Sequence, residues 1–283
     1  MPLTGWGNGS RTTINYKQRK KNKQKINLDI NQSFNWTVVL NNKWLHPLYK
    51  IKPEKFTQRG KLRKKLDGKF TIGTKHLHRA GEVPQKIKDI LIGCLLGDAS
   101  GEKSRQAKTP LFAFKQGIIH ADYLYFLYFS FLNWGYTSSN VPIPLLTKDS
   151  KGKIHQYLRF RTLSIPELAF IYEMFYTEIN GVKKKIVPIN INKYFNPRVL
   201  AYWIMDDGSW AKSGILLHSN NFTLCEVECL VKLLTEKYNL RITIRKKGKN
   251  HIKYIHAESI TIFKNLVLKY MHPSFYYKLG INK

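Results

Sequence analysis

The 283-residue chain carries 48 Lys plus Arg against 18 Asp plus Glu, a formal net charge of +30, so its surface is strongly positive whatever its fold and its natural partner is a polyanion. The basic residues run along the whole chain instead of gathering on one amphipathic helix, and the longest aromatic run, Tyr123 to Tyr136, is too short to span a bilayer, which argues against a membrane partner. Three cysteines, Cys94, Cys225 and Cys229, form no CxxC pair; they read as small core residues in a reducing compartment and exclude a disulfide scaffold or a structural zinc site.

Residues 1–85 lack a long periodic apolar pattern. They contain the basic run Lys17 to Lys25 and a second basic cluster, Arg59 to Lys69, with Asp29 as the first acid. This reads as a basic N-terminal extension, partly disordered, with two uses left open: a solvated mobile tail, or an arm that tracks a phosphate backbone. Trp36, Val38, Val39 and Leu40, then Trp44 and Leu48, are suited to a short packed strand or hairpin.

Pro84 opens a helix predicted to run to Asp98. Leu111 to Gln116 reads as a strand, and His120 to Leu132, apolar nearly all round, as a helix packed on a sheet. Tyr157 to Thr162 alternates in the strand manner, with Arg159 and Arg161 on one face. Ile165 to Tyr176 is predicted as an amphipathic helix capped by Ser164. The order then repeats. A helix ends at Asp207; the strand Ile215 to Ser219 follows; and Thr223 to Glu226 is a capping box opening a helix to Tyr238. Strands Arg241 to Arg245 and His251 to His256, joined by a basic turn, lead to a last helix, Ser259 to Tyr270. A repeat of this size buries its apolar face against its twin, giving one α+β body with a pseudo-twofold axis.

The two halves share one stretch. Leu91-Ile92-Gly93-Cys94-Leu95-Leu96-Gly97-Asp98-Ala99 and Leu200-Ala201-Tyr202-Trp203-Ile204-Met205-Asp206-Asp207-Gly208 are apolar runs ending in a carboxylate, with the acids at 98 and 207. A helix C-terminus carries partial negative charge, so an acid there is disfavoured unless a cation neutralises it. A divalent ion such as Mg²⁺, which accepts carboxylate oxygen, meets that need. Gly93 and Gly97 lie at i and i+4, where missing side chains let a second helix approach closely. Their counterparts, Tyr202 and Asp206, prevent symmetric packing.

These two runs resemble the paired motifs of the LAGLIDADG homing endonucleases in the single-chain, two-copy form encoded by organellar group I introns. The likeness covers roughly residues 86 to 283. It implies two pseudo-symmetric units, 86–190 and 191–283, each αββαββα, forming a saddle of two antiparallel sheets over DNA with two packed helices at the centre. It further implies that Asp98 and Asp207, with the adjoining Ala99 and Gly208, hold Mg²⁺ or Mn²⁺, and that both DNA strands are hydrolysed there. The family's basic residues near the cleavage centre map onto Lys185, in Lys-Ile-Val-Pro, and Lys278, in Tyr-Tyr-Lys-Leu. Gln116 and Asn220 are read as matching strand ends that orient water. Arg159, Arg161, Arg241, Arg245 and Lys253 fall on strands of the DNA-facing sheets, where they read base edges or contact phosphate. His218, His251 and His256 are expected to face DNA or solvent. The resulting expectation is a monomeric, site-specific double-strand endonuclease that promotes intron homing. The alternative is an RNA maturase that helps splice its own intron. The abundance of Lys, Asn, Ile, Tyr and Phe suits an AT-rich organellar genome, so a mitochondrial location is expected, with the chloroplast as the alternative.

Overall fold

A computed structural model describes residues 82–103, 109–219, 222–248 and 250–281. The basic extension, but for residues 82–85, and the Trp36 to Leu48 segment lie outside the described residues.

The first half runs α1 (Gln85–Leu96), β1 (Ser100–Glu102), β2 (Leu111–Gly117), α2 (Ala121–Asn133), β3 (Leu145–Lys148), β4 (Ile154–Arg161) and α3 (Ala169–Phe175). The hairpin β5 (Tyr176–Ile179) and β6 (Val182–Lys185) and the short α4 (Ile191–Tyr194) join it to the second half. That half runs α5 (Pro197–Asp207), β7 (Gly208–Ala211), β8 (Gly214–Leu217), α6 (Leu224–Tyr238), β9 (Ile242–Lys247), β10 (Asn250–Ile255) and α7 (Ile260–Val267), followed by a 3-10 segment, Pro273–Leu279. Both halves are therefore αββαββα. Their four-stranded antiparallel sheets have the same order, β1-β2-β4-β3 and β7-β8-β10-β9.

The core is organised around α1 and α5, which are buried almost throughout: Ile90 to Leu96 on one and Val199 to Met205 on the other. A side chain on Gly93 would stand 2.6 Å from the Val199 carbonyl oxygen and 2.7 Å from Tyr202 Cβ, and one on Gly97 would stand 2.5 Å from Asp206 Cβ. Each glycine thus accepts the bulk of the residue at its own counterpart position on the other helix. At the far end of the pair the buried Asp89 accepts hydrogen bonds from Gln85 Nε2 at 2.7 Å, Asn196 Nδ2 at 2.8 Å and Arg198 Nη1 at 3.0 Å. Asn196 also caps α5, accepting from the Arg198 and Val199 amides at 2.9 and 3.1 Å. One buried acid therefore ties the starts of both helices together.

The short strands β1, β3 and β7 and the β5–β6 hairpin add to the elements expected from the sequence. Asn180 and Gly181, at φ 50° and 73°, supply the left-handed pair that a tight hairpin turn needs. Ser164 does not cap a helix. It donates to the Thr109 carbonyl at 2.8 Å, and a 3-10 turn, Pro166–Leu168, leads into α3. The Thr223 capping box is present as expected. Cys94 is buried, but Cys225 and Cys229 are exposed, because α6 packs through Val227, Leu230, Leu233 and Leu234. No helix among the described residues is long and apolar enough to cross a membrane.

Candidate active site

Both acid-bearing helix ends stop abruptly. α1 ends at Leu96, earlier than expected, and the Ala99 amide folds back onto the Cys94 carbonyl at 2.8 Å, which leaves Asp98 on an exposed turn. α5 runs through Asp207 into Gly208, where a side chain would meet the Ile204 carbonyl oxygen at 2.6 Å. Helix C-termini leave carbonyls without intrahelical donors and carry partial negative charge. Here an ammonium answers each one. Lys185, the last residue of β6, donates to the Gly97 and Ala99 carbonyls, both at 2.9 Å. Lys278 donates to the Met205 carbonyl and, at 3.0 Å, to that of Asp206. The two lysines that the resemblance implied thus lie at the ends of the two central helices, one at each.

Between these ends lies a third carboxylate. Asp206 Oδ2 accepts from the Asp98 amide at 3.2 Å, and Gln116 Nε2 bridges Asp98 Oδ2 and Asp206 Oδ1 at 3.3 Å each. Burial, then the charges of Asp98 and Asp207, push the Asp206 carboxyl well above the usual carboxylate range. Burial and then Asp98 push Asp207 up to about 7, against the opposing pull of Lys185, Lys253 and Lys278. Burial lowers the ammonium groups of Lys185 and Lys278, while the same three acids hold them up. The centre is a set of mutually repelling carboxylates held by lysines and one glutamine. Asp206, the counterpart of Gly97 on α5, is a member of it. The available signal was its position opposite Gly97, the place of closest helix approach.

The structure moves several expected residues. Lys253 does not face DNA: it is 0 % exposed, bonded to the Ser219 hydroxyl, with its Nζ 4.8 Å from the Trp203 ring centroid. Burial lowers its ammonium to about 7, opposed by the charge of Asp207. Arg241 precedes β9 and pairs with Glu258 at 3.0 Å, away from the strand position expected. Arg159 and Arg161 lie on β4, and both pair with Glu102, the second at 2.9 Å. The Arg245 guanidinium sits 3.4 Å from the Tyr254 ring centroid. Ala99 gives its carbonyl to Lys185, and Gly208 starts β7 opposite Leu217. Asn220 lies outside the described residues. Counted from the two acids, the register pairs Ser100 with Ala113 and Ser209 with Leu216, which makes Ser219 the counterpart of Gln116. No group of three or more His, Cys, Asp or Glu side chains placed to hold a metal occurs among the described residues.

Comparison with known proteins gives a consistent set. The profile of the LAGLIDADG DNA endonuclease family matches residues 88–263. Cytochrome b mRNA maturase bI2 of Saccharomyces cerevisiae is 35% identical over 205 residues, 71% of this chain and 48% of that protein, so the chain spans about half the length of this relative. Intron-encoded endonuclease ai4 of Dictyostelium discoideum is 39% identical over 154 residues, 52% of this chain and 94% of that protein. The homing endonuclease I-WcaI bound to its DNA recognition sequence is similar in structure, with a TM-score of 0.64 and 26% identity, covering 78% of this chain and 97% of that one.

Proposed function

Because the chain belongs to the LAGLIDADG DNA endonuclease family, we propose that it is a site-specific endonuclease that cuts both strands of DNA and promotes homing of a group I intron. One observation carries this reading: Asp98 and Asp207 stand at the ends of two packed helices, with an ammonium behind each and Gln116 reaching across to Asp98 and Asp206. The similarity to I-WcaI, a homing endonuclease bound to its DNA recognition sequence, supports the choice of substrate.

The residues fit a divalent cation. Their donors are hard carboxylate oxygens, and the upward push on Asp207 from Asp98 is the repulsion a cation between them would relieve. Mg²⁺ keeps several waters and takes phosphate oxygens from its substrate, so two carboxylates are enough protein ligand for it; Mn²⁺ accepts the same set. Asp98 and Asp207 would hold it, with Ala99 and Gly208 as the adjoining backbone. Bound there, it supplies an activated water and stabilises charge on the attacking and leaving oxygens. Lys185 and Lys278 keep the helix-end carbonyls from repelling the phosphates and place positive charge where the scissile groups arrive. Gln116, bonded to Asp98 and Asp206, sets the orientation of the Asp98 carboxylate. Arg159, Arg161 and Arg245 are on strands that offer contacts to phosphate or base edges.

A second reading, an RNA maturase for the host intron, is favoured by the yeast cytochrome b maturase among the relatives. That name and the intron-encoded relatives also support a mitochondrial location. The deciding experiment incubates the purified protein with DNA spanning the uninterrupted insertion site, in Mg²⁺ or in EDTA, beside Asp207→Asn. Mg²⁺-dependent double-strand cleavage by the wild type alone bears the endonuclease out. Tight, salt-sensitive binding without cleavage moves the assignment to the maturase, and splicing of the intron becomes the assay.

A further inference from the structure

The two halves differ at one buried position that the function proposed above does not use. The register counted from the acids pairs Phe114 with Phe160 on β4 and Leu217 with Lys253 on β10, so Lys253 occupies the place of Phe160. In the first half that place is apolar: Phe160 stacks on Phe114 with ring centroids 4.6 Å apart. In the second half it is a fully buried lysine beside Trp203, bonded to Ser219, the counterpart of Gln116. Burying a charge costs several kcal/mol even when paired, and an apolar residue of similar volume usually replaces it without loss. The first half shows that the fold itself is satisfied with such a residue. The lysine therefore answers a need that packing does not have, and the charge that acts on it is that of Asp207.

We propose that Lys253 is a positioning residue for the Asp207 half of the centre alone: it holds Ser219 and sets a third ammonium behind Asp207, so that the two strands of the DNA are cut by chemically unequal half-sites. Lys185 and Lys278 are matched across the pseudo-twofold axis, whereas Lys253 has no partner cation in the first half, where Phe160 stands. Cation and hydroxyl together do for the second half what Gln116 does for the first. Both fix a polar group at the end of the strand next to the acid, one through an amide and the other through a charge.

This inference rests on the endonuclease reading, and its test separates the two. Lys253→Met keeps the length and removes the charge. Single-turnover cleavage is followed with each strand labelled in turn, and the urea midpoint of the metal-free protein is measured in parallel. The expected result is a loss of about 10- to 100-fold on one strand, a change within about twofold on the other, accumulation of nicked duplex, and a midpoint no lower than that of the wild type. Ser219→Ala, which leaves the lysine but releases it, should slow the same strand by a smaller factor. Equal effects on both strands, no effect on either, or a strand bias that comes with a large fall in the midpoint would overturn the proposal. A wild type that cuts neither strand would overturn the endonuclease reading, and this inference with it.

Discussion

The two halves share topology, strand order and helix-end lysines, yet they divide the work of packing differently. α1 contributes absence: Gly93 and Gly97 leave room, and the Asp98 turn stays open to solvent. α5 contributes substance: Tyr202 fills the first gap and Asp206 the second, carrying an extra carboxylate into the centre. The sheets repeat the contrast, with Phe160 stacked on Phe114 in one and Lys253 bonded to Ser219 in the other. Two helices must approach closely to bring their acids together, and the approach is made by complementary sizes instead of small residues on both sides. The seam is therefore tight and directional.

The largest expected effect tests what the halves have in common. Asp98→Asn and Asp207→Asn should each lower double-strand cleavage by about 10³-fold or more with DNA binding kept, because each removes a carboxylate proposed to hold the metal while preserving shape. Retention of double-strand cutting by either variant would break the equivalence of the two acids. The seam comes next. Tyr202→Ala should cost about 3 kcal/mol by opening a cavity, and Gly93→Ala about 1–3 kcal/mol by overpacking against the Val199 carbonyl. Alanine keeps the Tyr202 Cβ that a side chain at 93 would meet at 2.7 Å, and the Val199 carbonyl is untouched, so the two costs should add to within about 0.5 kcal/mol in the double variant, which urea titration of all four proteins measures. A double variant much more stable than the sum would show that the helices move into the vacated space.

A pH experiment isolates the second acid. Asp207 is pushed up to about 7 from its ordinary 3.8, so the folded protein holds a proton that the unfolded chain releases between those values. Its contribution to stability is full below about pH 4 and is lost as pH rises towards 7. In EDTA, the wild type should therefore gain more stability than Asp207→Asn between pH 7.5 and pH 5; equal gains would show that the carboxyl is not held against its partners. The smallest effect lies at the surface. Thr223→Ala should cost about 1 kcal/mol by removing the α6 capping box, whereas α2 has no side-chain cap bond to lose at His120.

Much of this was legible in the chain itself. The two acid-ended helices and the repeated order of helix and strands around each follow from the apolar runs themselves, whereas the αββαββα detail and the choice of Lys185 and Lys278 came only with the family resemblance. Three things were not legible. β1 and β7 are three and four residues long, too short for alternation to register, and β3 is exposed at every position. In β10, Ile252, Lys253, Tyr254 and Ile255 are all buried, so the strand is covered on both faces and a rule that assigns alternate residues to solvent places Lys253 wrongly. Asp206 reads only as the neighbour of Asp207 because sequence adjacency hides the turn of the helix, which aims it across the seam to the Asp98 amide.

The seam also bears on how such a protein could be taken apart. Two copies of the first unit, docked through α1, would oppose glycine to glycine and leave a gap that larger residues could be chosen to fill. Two copies of the second would set Tyr202 against Tyr202 and Asp206 against Asp206, claiming the same space twice and doubling the acid at the centre. The units have thus lost their interchangeability. An engineer who wished to make a symmetric dimer from this chain would have to begin with the first half and fill the glycine gap, whereas grafting the first half onto another protein's unit calls for a tyrosine-bearing helix as its mate.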